Sequence, residues 1–554
     1  MFPVLFLLTF IRFFPLPSSA ADAQSWRSRS IYQVMTDRFA LQDVSDGTAY
    51  NVPCNTSALQ YCGGAWRGIV DHLDYIQGMG FDAIWISPPF ANVEGQTPMG
   101  EAYHGYWPQD LTALNSHFGT NKDLKNLSDS LHARGMYLML DIVVNHMVSH
   151  HLFNTTAVQL AMSNSTTPVR NTTSVYPFTD VSDFHPVCWI TDYSNQTEVE
   201  QCWLGNENMP WADVDTENTD VIGTLNNWIA GVIGDFGVDG LRLSTVKYVS
   251  RNFWNTFTTQ AGIFTLGEVY SVDVNYTSPY TSESRAFDCV MSAVLDYPTW
   301  FELVPAFASP EGDFNALKNI VRLSQDAYTT GTFMTGSFLD NHDQPRFGSV
   351  TSDPALLANA IVWPFIHDGI PILYYGQEQG FSGGIIPNNH EALWHTRYNR
   401  EHPLYMMVTA LNQARKAAIT SETYFLTTPM QFLDTGSSST LVVSKPPLLA
   451  LLTNIGSQQT STVRWNVTHP VFKGRQQLVD VLTCRRFLAG EDGSVSIQSD
   501  GGMPKVLMPV TSLRGTNLCP QSVDVGSGST RFGNAVSWTA VLVSMVVLEM
   551  TNLA

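Results

Sequence analysis

Short apolar segments alternate with segments of helical periodicity from residue 31 to about residue 420. In one helical segment Ile69, Leu73 and Ile76 recur at the spacing of a helix face, which predicts a helix over Trp66–Met79. The apolar segments are short and rich in Leu, Ile and Val, which favours buried strands. The predicted strands are Ile31–Phe39, Phe81–Ser87, Met136–Asn145 and the stretches near residues 237–243, 262–269, 335–340 and 370–375.

Repeated strand–helix units predict a parallel sheet, and about eight of them predict a closed (β/α)₈ TIM barrel over residues 21–425. An open, doubly wound sheet is the alternative, but no glycine-rich dinucleotide loop follows the first predicted strand. Residues 147–209 are polar and interrupt the alternation, so they are predicted to form an inserted loop domain, domain B, after the third strand. Residues 426–519 carry apolar segments such as Leu441–Ser444 between Gly, Pro and Ser clusters, which predicts an antiparallel β-sandwich domain.

The composition excludes two classes of protein. The chain has 554 residues and a formal net charge of -20, from 29 basic and 49 acidic side chains. Hydrophobic residues make up 44% of the chain, which is enough apolar surface to exclude an intrinsically disordered protein. The acidic balance excludes a nucleic-acid-binding protein that depends on bulk electrostatics, because phosphate binding needs a basic face.

Both ends of the chain carry processing signals. Residues 1–20 are predicted to be a signal peptide, because an apolar segment precedes the small residues Ser18–Ala20. Arg12 interrupts that segment, and the alternative, a transmembrane anchor, needs a longer span. In residues 520–554, small residues, a polar spacer and an apolar tail predict a linker and a GPI-anchor signal, with attachment near Ser527. A buried core helix is the alternative for the tail, and the anchor signal predicts a secreted protein held at the plasma membrane or cell wall.

Asparagine sequons and cysteines agree with a secretory route. In a secreted protein, sequons mark surface positions. An oxidising compartment favours three disulfides, although spacing is a weak guide to connectivity. The preferred pairs are Cys54–Cys62, Cys188–Cys202 and Cys484–Cys519, with Cys289 left free. The sequons are at Asn55, Asn126, Asn154, Asn164, Asn171, Asn195, Asn275 and Asn466.

Polar clusters stand at the ends of four predicted strands and in one earlier strand–loop segment. In a TIM barrel the carboxyl ends of the strands carry the catalytic groups, so these clusters predict one active site. Packing alone does not explain five such clusters in order. They are Tyr103-His104-Gly105-Tyr106-Trp107, Asp141-Ile-Val-Val-Asn145-His146, Asp239-Gly-Leu-Arg242-Leu-Ser244-Thr-Val-Lys247-Tyr248, Gly267-Glu268-Val-Tyr270 and Phe338-Leu-Asp340-Asn341-His342-Asp343-Gln344.

In their order and spacing, the five clusters resemble those of the α-amylase family, glycoside hydrolase family 13, and above all its secreted fungal members and their GPI-anchored relatives. The resemblance covers about residues 25–520. It implies a retaining mechanism, in which one carboxylate attacks the anomeric carbon and a second carboxyl group protonates the leaving oxygen. It implies that Glu268 is the general acid/base and that Asp343 stabilises the transition state. The substrate-binding residues that it implies are His104, Tyr106, Trp107, His146, Arg242, Lys247, Tyr248 and His342, of which Trp107 is equally suited to barrel packing.

The sequence departs from the family pattern at the nucleophile. The family has an aspartate two residues after the arginine, where this chain has Ser244. A serine hydroxyl is neutral at pH 7 and is a poor nucleophile without an adjacent base, so ordinary retaining hydrolysis is predicted to be nearly abolished. Tyr248 replaces a histidine of related amylases, and Ile386 and His390 replace an aspartate and an arginine that hold a sugar on the non-reducing side.

The resemblance also implies a Ca²⁺ ion as cofactor. Its ligands would be the side chains of Asn145 and Asp213 and the backbone carbonyls of Glu200 and Tyr248, in keeping with the oxygen ligands that Ca²⁺ prefers. The ion would join the inserted domain to the barrel. The alternative for Asp213 is a residue at a helix N-terminus.

Two functions follow from the resemblance. The first is a monomeric enzyme of the α-amylase class that acts weakly on α-1,4-glucan or maltooligosaccharide at the fungal cell surface, as a hydrolase or a transglycosylase. The second is a non-catalytic protein that binds or regulates a wall α-glucan.

Overall fold

Eight parallel strands close into a barrel in the computed structural model, which describes residues 23–42, 48–150, 175–281, 290–328, 332–458 and 463–523. Each strand pairs with the next along the chain, and the last pairs with the first, as in Ile31 with Ile372. The predicted TIM barrel is therefore confirmed. The strands are β1 (Ile31–Val34), β2 (Ala83–Ile86), β3 (Tyr137–Ile142), β4 (Gly240–Leu243), β5 (Phe264–Gly267), β6 (Ala293–Leu295), β7 (Thr335–Ser337) and β8 (Ile370–Tyr374).

The strand β6 was not predicted from the sequence, because a three-residue strand is too short to show a periodic pattern. The first strand ends earlier than predicted, and a short helix, Thr36–Phe39, follows it. The helix predicted over residues 66–79 is two helices that meet at His72, whose ring Nδ1 lies 2.9 Å from the Gly68 carbonyl oxygen. The apolar stripe continues across this break, so the sequence pattern did not reveal it.

Helices surround the barrel and bury their apolar faces against it. The helix Asn121–His132 begins at a capping box formed by Thr120 and Asp123 and buries Leu124, Leu127 and Leu131. The α-helices are Ala23–Arg27, Thr36–Phe39, Trp66–Asp71, Leu73–Gly78, Asn121–His132, Gln196–Gln201, Thr219–Phe236, Arg251–Ala261, Val274–Thr277, Tyr297–Ala308, Phe314–Ala327, Phe347–Val350, Pro354–Ile366, Pro403–Ser421 and Pro520–Val523.

The insertion after β3 carries a small antiparallel sheet. Its central strand, Met209–Asp213, pairs with His146–Met147 on one side and with Leu204–Asn206 on the other. The pairing of His146 with Asp213 joins the end of β3 to the insertion. A two-stranded antiparallel sheet, Phe90–Asn92 and Pro108–Leu114, follows β2.

The C-terminal region is an antiparallel domain of two layers, as predicted. Leu441 and Val443 face the barrel, whereas Val442 faces a second apolar core that contains Trp465. Because successive side chains of this strand point to opposite faces, the six-stranded sheet buries apolar side chains on both faces. In spatial order that sheet contains Gln431–Leu433, Thr440–Lys445, Leu448–Thr453, Lys505–Pro509, Gln477–Asp480 and Arg486–Leu488, and the two-stranded layer contains Arg464–Val467 and Val495–Gln498.

The three predicted disulfides, Cys54–Cys62, Cys188–Cys202 and Cys484–Cys519, are present. Within the described residues no helix is long and apolar enough to cross a membrane. Cys289, the signal peptide and the GPI-anchor signal lie outside the described residues. The sequon asparagines within them are all exposed, in agreement with their predicted surface positions, and are Asn55, Asn126, Asn195, Asn275 and Asn466.

Candidate active site

A buried arginine at the end of β4 organises the site. The Nη1 atom of Arg242 lies 3.0 Å from each carboxylate oxygen of Asp141, and its Nη2 lies 2.6 Å from Oε2 of Glu268. Burial lowers the pKa of the guanidinium, but Asp141 and Glu268 outweigh it and raise that pKa well above its usual value. Arg242 is therefore a permanent cation shared by two carboxylates.

Asp141, at the end of β3, supports the arginine from the barrel interior. Its Oδ2 accepts hydrogen bonds from Trp85 Nε1 at 3.0 Å and from the Tyr106 hydroxyl at 2.7 Å. Burial raises its pKa to about 6, although Arg242 and the hydrogen bonds from Tyr106 and Trp85 lower it. The aspartate positions both Arg242 and Tyr106.

Glu268 follows the last residue of β5. Besides Arg242, its carboxylate meets the Thr245 amide at 3.4 Å and the Tyr297 hydroxyl at 3.4 Å. Asn341 Nδ2 donates to the same hydroxyl at 2.9 Å, so the Tyr297 hydrogen is directed to Glu268. Neither Tyr297 nor Asn341 was predicted as a site residue. Tyr297 is the first residue of the helix that follows strand β6, which was not predicted. Asn341 lies in one of the five polar clusters, whereas Tyr297 lies in none.

Leu243 of β4 pairs with Gly267 of β5. Ser244 and Glu268 are the residues that directly follow this pair, so they lie beside each other. The serine is buried, and its hydroxyl donates to the carbonyl oxygen of Ile142 at 3.0 Å. Its amide donates to that same carbonyl oxygen at 3.1 Å. The structure therefore places a neutral hydroxyl, bonded to the backbone, next to the arginine–carboxylate cluster.

His342 and Asp343 follow β7. Gln33 Nε2 donates to His342 Nδ1 at 2.8 Å, so the ring proton is on Nε2, which lies 3.2 Å from Oδ2 of Asp343. Burial, with the charge of Arg242, lowers the pKa of His342 to about 3, so the ring is neutral. The Asp343 side chain is 38% exposed and open to the cleft. A neutral donor beside an open carboxylate suits the hydroxyl groups of a sugar.

The Tyr106 ring stacks in parallel on the His342 ring, with 4.8 Å between the centroids. His104 Nδ1 accepts from the Tyr106 amide at 3.0 Å, and His146 Nε2 donates to the Tyr106 carbonyl at 3.0 Å. Burial lowers the pKa of His104 to about 3 and that of His146 to about 4, so both rings are neutral. The two histidines therefore position the tyrosine.

Trp107 is packed in a small apolar cluster. The residue is 6% exposed and packs with Val93, Val148 and Met209. The amide of Trp107 donates to Asn92 Oδ1 at 2.7 Å, which fixes this orientation. The packing role predicted for this residue is therefore present, and its sugar contact stays a prediction.

Lys247 and Tyr248 lie on a short 3₁₀ turn after β4. Lys247 Nζ donates to the Tyr270 carbonyl at 3.1 Å and lies 5.0 to 5.6 Å from the ring centroids of Tyr193, Tyr248 and Tyr270. Tyr193 is 63% exposed and Tyr270 is 41% exposed. These rings and the lysine form an aromatic surface beside Glu268, in the region where Tyr248 replaces the family's histidine.

The two other departures from the family pattern differ in their surroundings. Ile386 is exposed on its loop, whereas His390 is buried. Both His390 ring nitrogens are used, since Nδ1 accepts from the Tyr103 hydroxyl at 2.8 Å and Nε2 donates to the His342 carbonyl at 2.9 Å. His390 therefore supports the segment that carries His342 and leaves no ring nitrogen for a ligand.

Two of the four predicted calcium ligands, Asn145 and Asp213, contact each other where the end of β3 meets the insertion. Asn145 Nδ2 donates to Asp213 Oδ1 at 3.2 Å, while Asn145 Oδ1 is buried without a hydrogen-bond partner. Near the other two predicted ligands, Gln196 Nε2 contacts the side-chain Oε1 of Glu200 at 2.7 Å and the carbonyl of Lys247 at 2.9 Å, so it joins their two segments. An oxygen acceptor without a partner beside a carboxylate, as at Asn145, fits a hard cation.

A second group of possible metal ligands adjoins this point. The ring of His185 contacts Asp213 Oδ2 through Nδ1 at 2.7 Å, and its Nε2 lies near Asp215 and Glu217. The possible ligand atoms of His185, Asp215 and Glu217 lie within 4.8 Å of one another. Sequence reasoning named Asp213 and not this neighbouring group.

A closed barrel with paired carboxylates, a buried arginine and stacked aromatic rings at its strand ends defines a glycoside hydrolase type of fold and site. The family model "Alpha amylase, catalytic domain" matches residues 33–416, and "Alpha-amylase, domain C" matches residues 435–526. The chain belongs to the α-amylase family, glycoside hydrolase family 13.

Individual relatives extend the match over most of the chain. Alpha-amylase 2 of Schwanniomyces occidentalis is 39% identical over 91% of this chain and 94% of the relative. Alpha-amylase 1 of Lipomyces kononenkoae is 40% identical over 91% of this chain and 78% of the relative. The solved structure of an α-amylase from Malbranchea cinnamomea superposes with a TM-score of 0.81 at 38% identity, over 90% of this chain and 100% of that one.

Proposed function

We propose that this chain binds α-1,4-glucan in the cleft at the carboxyl ends of the barrel strands and hydrolyses it very weakly. One observation carries the proposal: next to Glu268 the chain presents the Ser244 hydroxyl, bonded to the Ile142 carbonyl, and the free side of Arg242 pairs with Glu268 itself. A retaining glycosidase needs a carboxylate nucleophile facing its acid/base.

The serine fails as a nucleophile for a chemical reason. Its hydroxyl would need an adjacent base, and its oxygen supplies no negative charge to an oxocarbenium-like transition state. Protonation of the leaving oxygen would fall to Glu268, whose Oε2 lies 2.6 Å from Arg242 Nη2. The first half-reaction is therefore impaired, because it lacks its nucleophile. Loss of a nucleophile in an unrelated hydrolase lowers kcat by about 10⁶-fold.

The aromatic and polar side chains of the cleft support the proposal of glucan binding. Tyr106 and His342 form a stacked pair beside the open carboxylate of Asp343, and Tyr270 and Tyr193 supply exposed rings near Glu268. Flat aromatic faces and a few directed polar groups are the usual lining of a small-molecule site. A glucan of several sugar units would contact both groups of side chains.

Calcium is part of the proposal, because the unpartnered Asn145 Oδ1 and the buried Asp213 fit such an ion. When bound, Ca²⁺ would hold Asn145, Asp213 and the carbonyls of Glu200 and Tyr248, and would supply structural cross-linking only. Those groups link β3, the insertion and the turn after β4, so the ion would stabilise the shape of the cleft.

We also propose that the protein is displayed at the cell surface through a GPI lipid, from the pattern of residues 520–554. Phosphatidylinositol-specific phospholipase C should release the protein from membranes of the expressing cell into the supernatant. Retention in the membrane fraction, with a known GPI-anchored protein released in the same sample, would argue against the anchor.

The function is tested by measuring binding and hydrolysis on the same preparation. Isothermal titration calorimetry with maltoheptaose should show binding, and release of reducing ends from starch should be far below that of an active α-amylase at equal concentration. Tyr106→Ala should weaken binding, whereas Tyr424→Ala, at an exposed tyrosine in the segment before the C-terminal domain, should not. Starch hydrolysis at the rate of an active α-amylase, or no maltoheptaose binding, would refute the proposal.

A further inference from the structure

The site retains the parts that serve the second half of a retaining cycle. In that half-reaction the acid/base removes a proton from an acceptor hydroxyl, and the acceptor attacks the α face of C1 while the bond on the β face breaks. In an ordinary cycle the β-face bond joins the sugar to the nucleophile. Here the corresponding position holds Ser244, which is smaller than an aspartate by one branch.

We propose that this chain catalyses the transfer of a glucosyl or maltosyl group to a glucan hydroxyl in a single displacement. The donor carries a small electronegative leaving group on the β face of C1, and the displacement inverts C1 to give an α linkage. The proposal rests on the proposed function, since it uses the same glucan cleft. The leaving group of the donor occupies the β-face position at which the family's covalent intermediate is bonded to the nucleophile.

The surroundings of Glu268 fit the role of the base in this reaction. Arg242 Nη2 lies 2.6 Å and the Thr245 amide lies 3.4 Å from its Oε2. The Tyr297 hydroxyl contacts Oε1. These three donors hold the carboxylate group in one orientation, in which it can accept a proton from an acceptor hydroxyl.

Ser244 fits the leaving-group side. Its backbone is fixed by the hydrogen bond from its amide to the Ile142 carbonyl and by the pairing of β4 with strands on both sides. The hydroxyl donates to a backbone carbonyl and can rotate to donate instead to a departing anion. An aspartate at this position would repel that anion and occupy its space.

The acceptor side also fits. The exposed ring of Tyr270 packs edge-on against Tyr297 at 5.0 Å between centroids, and Tyr297 touches Glu268. Lys247 and the Tyr193 ring continue this surface away from the base. An acceptor glucan stacked there would present a terminal hydroxyl to Glu268.

The reaction balances with fluoride as the leaving group. The C1–F bond breaks with its electron pair passing to fluoride, the acceptor oxygen forms the new bond to C1, and the acceptor proton passes to Glu268. Glu268 then returns the proton to solvent, so the net products are the α-linked glucan and hydrogen fluoride. No oxidant, reductant or metal takes part.

The test uses the full secreted chain with β-maltosyl fluoride as donor and maltotriose as acceptor. A fluoride electrode should record release that depends on maltotriose, and chromatography should show a lengthened product in equal amount, with an α linkage by proton NMR. Glu268→Gln should lower this rate by about 10²- to 10⁴-fold, as expected for loss of a general base. The matched control is Glu491→Gln, which removes a carboxylate paired with an arginine on the exposed surface of the C-terminal domain and should leave the rate unchanged.

Two further variants keep the proposal falsifiable if Glu268→Gln folds poorly. Ser244→Ala removes only the hydroxyl oxygen and should slow transfer about tenfold, the value of one hydrogen bond to the leaving group. Ser244→Asp should lose transfer from the β-fluoride. Fluoride release without lengthened product, or full activity in Glu268→Gln, would overturn the proposal.

Calorimetry with maltotriose separates this inference from the proposed function. Binding without transfer would show that the inference is wrong while the glucan-binding function stands. Absence of both would refute the two together.

Discussion

Arg242 and Glu268 form a direct ion pair, with Nη2 of the arginine 2.6 Å from Oε2 of the glutamate. The arginine side chain is 1% exposed, and it also pairs with Asp141. A buried cation with two carboxylates is costly to break, because either partner left alone retains an uncompensated charge. The ion pairs of Arg242 therefore contribute to the stability of the barrel.

Arg242→Met should strongly destabilise the barrel. It leaves Asp141 buried without its cation, and breaking a buried pair costs about 3–5 kcal/mol. The midpoint of urea unfolding, followed by tryptophan fluorescence, should fall accordingly. Arg475→Met is the matched control, because its ion pair with Glu491 is exposed and contributes at most about 1 kcal/mol. Equal midpoints for the two variants would contradict this account of Arg242.

Ser244→Asp should increase starch hydrolysis by at least about 10³-fold, because it restores a carboxylate two residues after Arg242. The new carboxylate would also compete with Glu268 for Arg242. Initial rates of reducing-end release from starch measure the gain. Ser244→Asn, which has the same size without the charge, should gain nothing. If the unmodified protein hydrolyses starch as fast as the Ser244→Asp variant, Ser244 does not limit hydrolysis.

The sequence predicted the barrel, the three disulfides and the residues at the strand ends, because each depends on a local pattern or a motif. Glu268, Ser244 and Asp343 could be located in this way, since the carboxyl ends of parallel strands meet at one edge. Tyr297 could not, because its role depends on a hydroxyl that receives a hydrogen bond from Asn341, which is distant in sequence. His390 was recognised as a departure, but its burial between Tyr103 and His342 depends on tertiary packing.

Tyr297→Phe should lower catalysis without lowering glucan affinity. The change removes the contact with Glu268 Oε1 and leaves Asn341 Nδ2 without its acceptor, while the ring that packs on Tyr270 remains. In the Ser244→Asp background we expect kcat for starch hydrolysis to fall about tenfold, the effect of about 1.4 kcal/mol, with little change in maltoheptaose Kd. A purely structural role would instead lower thermal stability and binding together.

Removal of calcium should lower the melting temperature, and the loss should depend on Asn145 and Asp213. An ion present at about 100 times its Kd stabilises the folded state by about 2.7 kcal/mol, which for a chain of this size predicts a fall of roughly 3 °C when EGTA is added. In Asp213→Asn the difference in melting temperature between calcium and EGTA should shrink or vanish, because the variant loses the one carboxylate of the predicted ligand set. Asp215→Asn is the discriminating control, since Asp215 belongs to the adjoining group with His185 and Glu217. If Asp215→Asn abolishes the calcium effect and Asp213→Asn preserves it, the ion binds in the His185 group and the predicted ligand set is wrong.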